Sequence, residues 1–112
     1  MKNPRDNDAL QKQIIEEQVI NALKRVHDPE IPINIYDLGL IYELKIDNEF
    51  NVYIKMTLTT PNCPVAEDIP GMVRFEVKNV EGVKEVTIDL VFEPPWDKDM
   101  LSEAALLELG LL

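Results

Sequence analysis

Two alternating runs lie back to back near the middle of the chain. Leu40, Tyr42, Leu44 and Ile46 alternate with Ile41, Glu43 and Lys45, and after the polar stretch Asp47 to Asn51, Val52, Ile54, Met56 and Leu58 alternate with Tyr53, Lys55 and Thr57. A period of two puts every second side chain on one face, so each run is predicted as a strand with one face buried. The short polar link between them predicts a β-hairpin. Val65, Ile69, Met72, Val73, Val77 and Val80 then recur at helical spacing, predicting a helix from about Pro64 to Asn79. Glu81 and Gly82 turn the chain into a third alternating run, Val86, Ile88, Leu90 and Phe92. A helix between two strands implies a parallel crossover, so hairpin and crossover together give a three-stranded mixed sheet covered by helices.

The flanking segments complete the pattern. Ile15, Val19, Ala22, Leu23 and Val26 form the stripe of an amphipathic helix, placed at about residues 9 to 27 and ended by Pro29, because the residue before a proline avoids the helical region. Pro94 and Pro95 stop the third strand, Asp99 or Ser102 can cap a short last helix, and Gly110 can end it. The expected fold is α/β, more strictly α+β: a single small domain of order α-β-β-α-β-α over residues 11–112, behind a polar tail at 1–10. Pro70 conflicts with the second helix, since an interior proline costs roughly 3 kcal/mol. Either that helix kinks, or residues 64 to 69 form a separate first turn.

At 112 residues one core suffices without metals or disulfides. The formal charge of −10 repels phosphate backbones and acidic membrane surfaces, so neither nucleic acid nor membrane is an expected partner. No apolar run approaches the span of a bilayer. A single cysteine cannot close an intramolecular disulfide, and the first ten residues lack an apolar signal core, so the cytoplasm is the expected location.

Three loops carry the residues with chemistry. The first, HDPEIPINIYDLG at 27–39, holds Asp28, Glu30 and Asp37. These carboxylates serve turn geometry in one reading and a site in the other; His27 reads as a charge partner at a helix end rather than a metal ligand. The second, TTPNCP at 59–64, holds Cys63 with Pro64 at the expected first helical position, which makes Cys63 the N-cap. A helix N-terminus stabilises a thiolate and its free N–H groups bind anions, whereas a lone cysteine can equally be a small buried apolar residue. Thr57, Thr59 and Thr60 could donate hydrogen bonds to a sulfur ligand. The third, EPPWDKDMLSEAA at 93–105, pins Trp96 behind Pro94 and Pro95, as a partner anchor or as a lid on the sheet. Phosphate-loop, dinucleotide, paired-cysteine and zinc-protease motifs are all missing, and His27 is the sole candidate imidazole base, so an enzyme is not expected.

Taken in order, DPEIPINIYDLGLIY, MTLTTPNCP and VFEPPW followed by MLSEAALLELG resemble the small iron-sulfur assembly proteins of the SufT and PaaD type, a family that includes a cytosolic targeting factor of eukaryotes. The resemblance covers about residues 14 to 110. It implies an accessory factor that assembles or delivers clusters to client proteins, with Cys63 as a transient ligand of iron or of a cluster. Asp28, Glu30, Asp37, Thr59, Thr60 and Asn62 are then supporting residues, and Pro94, Pro95 and Trp96 a partner-binding segment. No cluster is expected to be held tightly by one chain; a homodimer sharing one, or a scaffold, carrier or client apoprotein, would supply the other ligands. PaaD-type members carry a cysteine-rich C-terminal extension that is not seen here, which favours the general SufT-like role over service to one oxygenase. An adaptor that binds no cluster is the alternative.

Overall fold

The computed structural model describes residues 4–28, 31–59 and 68–110. Its elements are α1 (Pro4–Leu23), β1 (Ile41–Ile46), β2 (Val52–Met56), α2 (Asp68–Lys78), β3 (Val86–Leu90), a 3-10 turn (Lys98–Met100) and α3 (Glu103–Glu108). The strands lie in the order β1-β2-β3, β1 antiparallel and β3 parallel to β2, which is the mixed sheet the alternation predicts.

β2 is the central strand and its pattern is simple. Val52, Ile54 and Met56 are buried, whereas Tyr53 and Lys55 are half-buried on the other face. The buried three join Ile15, Val19, Ala22, Leu23 and Val26 from the first helix and its exit, and Ile69, Val73 and Val77 from α2, in one apolar cluster. Every residue of the stripe expected on the first helix is therefore in the core.

Four local features depart from the sequence reading. α1 begins at Pro4, so residues 4–10, read from their polarity as part of a tail, are helical. It also ends earlier, at Leu23, because the chain turns back on itself: Ile35 N–H donates to Val26 O at 2.8 Å, Asp28 N–H to Ile33 O at 3.3 Å, and His27 bridges Asn34. Extending the helix to residue 27 would remove these bonds. In β1 a bulge lies between Ile41 and Glu43, so Ile41 opposes Met56 while Leu44 opposes Ile54. Ile41, not Tyr42, thus shares the core face with Leu44 and Ile46. Finally, α2 as described runs from Asp68 through Pro70 to Lys78, so residues 68 and 69 share a helix with Pro70 instead of closing a separate turn before it. The expected stretch 64–67 lies outside the described residues.

The hairpin turn is built by one carboxylate. Asp47 Oδ1 accepts from the N–H groups of Glu49 and Asn51, both at 2.9 Å, and Oδ2 accepts from Asn51 Nδ2 at 3.0 Å, while Phe50 takes a φ of 66°. These bonds, the Asn51 backbone N–H foremost, hold the Asp47 carboxyl below the usual carboxylate range. A depressed folded pKa stabilises the fold above the unfolded value of about 3.9 and loses that contribution as pH falls through the folded value. Asp47→Ala is therefore expected to lower Tm at neutral pH, with a difference from the parent that shrinks below about pH 4, as thermal unfolding across pH would reveal. Ile54→Ala, at the centre of the core, is expected to cost about 2–5 kcal/mol in denaturant unfolding.

Candidate functional site

The end of β2 is tied to the first loop through a buried carboxylate. Asp28 is 6% exposed; its Oδ1 accepts from Ile31 N–H at 3.2 Å and its Oδ2 from the Thr59 hydroxyl at 3.3 Å. Thr59 is the first residue of the TTPNCP stretch and the last described residue before Asp68, so Asp28 holds the point at which that stretch begins. Of the predicted site residues, Asp28 and Thr59 are brought together. Glu30, Thr60, Asn62 and Cys63 lie outside the described residues, and with them the expected Cys63 N-cap.

Asp37 faces a different partner. Its Oδ2 accepts from Asn34 Nδ2 at 2.8 Å, and its N–H donates to Asn34 Oδ1 at 2.9 Å, a reciprocal pair that closes the turn before the D-L-G stretch. Its Oδ1 accepts from the Ser102 hydroxyl at 3.1 Å and its carbonyl from Ser102 N–H at 2.8 Å. Ser102 in turn caps α3 by accepting from Ala105 N–H at 3.1 Å, the capping role its position predicts. Asp37 therefore fastens the C-terminal segment to the first loop.

The third loop completes this fastening. Trp96 is half-buried against the core and its Nε1 donates to Leu38 O at 2.7 Å, while Pro94 and Pro95 are exposed. The indole packs against the core while the two prolines before it remain on the surface. Gly39, at φ 82°, lets the loop pass beneath Met100, whose carbonyl a Cβ at that position would strike. Tyr42 reaches across from β1, donating to Pro94 O at 2.7 Å. Asn34 and Tyr42 were not singled out in the sequence. The N-x-x-D spacing of Asn34 and Asp37 is a readable turn signal, whereas the bulge that turns Tyr42 leaves no trace in the alternation.

His27 is exposed and no group of three His, Cys, Asp or Glu side chains among the described residues could hold a metal ion. Thr57 is buried at 1% exposure, and among the described residues its hydroxyl has no hydrogen-bond partner although it lies beside the Tyr42 phenol.

Residues 16–89 match the family described as iron-sulfur cluster assembly protein. The chain belongs to that family. Among characterised relatives of this assembly family, an Fe-S protein maturation auxiliary factor from Porphyromonas gingivalis is 56% identical over 97 residues, covering 87% of this chain and 92% of its own. A factor of the same description from Bacillus subtilis is 34% identical over 100 residues, covering 89% and 98%. The fold recurs in a domain of unknown function from Bacillus anthracis, with a TM-score of 0.81 at 34% identity over 93% of this chain and 99% of that one. A conserved hypothetical protein from Thermotoga maritima gives a TM-score of 0.72 at 40% identity, over 84% and 92%. These similarities agree with the fold and family that the three ordered motifs implied.

Asp37→Ala removes the acceptor for both Ser102 and Asn34. The expected outcome is a loss of about 1–3 kcal/mol in unfolding free energy, together with a red shift in fluorescence from Trp96, the only tryptophan in the chain, as the indole leaves Leu38.

Proposed function

We propose that this protein is an accessory factor in the assembly of iron-sulfur clusters or their delivery to client proteins, in which Cys63 ligates iron or a cluster in transit. The observation that carries the reading is the family match over residues 16–89, supported by relatives named as maturation auxiliary factors and, over a smaller share of their length, as iron-sulfur cluster carrier proteins. The role is non-catalytic: the cluster is cargo, and the chain's part is to hold it and release it.

The ligand count supports transit rather than storage. Iron-sulfur clusters are held by about four protein ligands, most often thiolates, and this chain has one cysteine. A second copy, a scaffold or the client must supply the rest, so each transfer exchanges ligands around an incomplete set. Asp28 contributes by holding Thr59, which sets where the Cys63 loop leaves the sheet. Thr60 and Asn62, on the same loop, and Glu30, beside Asp28 in sequence, are the supporting residues of this reading. The Pro94 to Trp96 segment, with two exposed prolines, is the surface offered to partners.

Cys63→Ser tests it. The variant is expected to keep the parent's Tm, to lose the visible absorption that the parent gains on anaerobic reconstitution with iron and sulfide, and to lower the activity of cluster-dependent clients. Iron counting at about one cluster per two chains would identify a shared, bridged species. Full client activity with the serine variant would remove Cys63 from the mechanism, and absence of a chromophore in the folded parent would leave an adaptor that brings partners together.

A further inference from the structure

A second feature lies away from the Asp28 and Thr59 pair. Between β1 and the segment after β3 runs an open cleft of about 620 Å³, whose walls include Ile41, Tyr42, Glu43, Lys55, Glu93 and Met100. Two of its properties define a guest. Its apolar wall is made by Ile41, Met100 and the ring of Tyr42, whose hydroxyl is held by Pro94 O. Its acidic groups are Glu43 and Glu93, on a chain that carries −10 overall. Glu93 is exposed and forms no ion pair among the described residues. Among the described residues Glu43 pairs with Lys45 alone, at 3.3 Å with the lysine well exposed, a pairing weak enough to exchange.

We propose that this cleft docks an extended, basic segment of a partner protein, with a lysine or arginine side chain lying against Tyr42 between Glu43 and Glu93 and its apolar neighbours on Ile41 and Met100. An aromatic face flanked by carboxylates is a cation site: the ring quadrupole and the two charges act on the same guest. Burial, with the nearby Glu93 charge adding, pushes the Tyr42 hydroxyl above its ordinary range, so the ring stays a neutral phenol at physiological pH. Among the described residues β1 is an edge strand, so an extended guest also finds main-chain groups without a strand partner beside the cleft. The acidic surface as a whole draws a basic partner in and opposes a second copy of this chain. Among the described residues Lys55 is the one cation on the wall, and it sits in register with Glu43 and Asp89 without an ion pair to either. It should weaken the guest's hold.

The docking is independent of the cargo reading, because it is measured on cluster-free protein. The test is an amide-resolved NMR titration of the whole chain with a blocked peptide, acetyl-Gly-Leu-Arg-Leu-Gly-amide, beside the same peptide with glutamine for arginine. Binding of the arginine peptide is expected to shift residues 39–43, 55 and 93–100. It should weaken about 3- to 10-fold in Glu43→Gln/Glu93→Gln, tighten in Lys55→Gln, and fade at about 1 M salt, where the Debye length is about 3 Å. The same spectra report whether each variant is folded. Equal binding of the two peptides, shifts spread over the remaining acidic surface, or no shift at Tyr42 and Met100 would each overturn the proposal.

Discussion

The parallel pairing of β2 with β3 is the constraint from which the rest follows. Val52 through Met56 lie in register with Val86 through Leu90, and two parallel neighbours cannot be joined by a tight turn. The chain must leave β2 at its far end, cross through α2, and return. That exit is where Thr59 meets Asp28. Burial of Val52, Ile54 and Met56 under both long helices fixes the register, because a slip by one residue would carry Tyr53 and Lys55 into the core.

Around that exit the fold uses polar side chains as fasteners. Asp28 holds Thr59, Asp37 holds Ser102, and Trp96 holds Leu38. Each replaces water on a buried or half-buried group with a partner distant in sequence, so the loops are located by the tertiary fold rather than by their own turn propensities. The two carboxylates of the first loop thereby have separate duties: one faces the start of the cysteine-bearing loop, the other the C-terminal helix.

Much of this was legible in the sequence, and the reasons differ by element. The stripe from Ile15 to Val26 and the alternation of Val52 to Met56 are burial patterns with one solution, and both hold residue by residue. The cap at Ser102 was legible because its hydroxyl chemistry is local. The end of α1 was not, because the competing backbone partners of Val26 and Asp28 come from residues 33 and 35, and periodicity carries no information about them. The bulge at Tyr42 escaped for a related reason: Leu40, Tyr42 and Leu44 alternate correctly for a regular strand, and only the pairing with β2 shows the change of phase. Pro70 looked disruptive from its propensity alone, yet α2 as described carries it beside Asp68 and Ile69.

The seating of Met100 over Gly39 has a consequence for how the protein comes into being. Leu38 and Asp37 acquire their partners 58 and 65 positions later in the chain. During synthesis from the N-terminus, helix α1, the hairpin and even the crossover can emerge from the ribosome while the first loop still lacks the residues that anchor it. The loop that carries Asp28 and Asp37 is thus among the last parts to become rigid, although it is among the first to be made. A nascent chain would carry an unfinished first loop until the segment from Trp96 to Ser102 is free to dock.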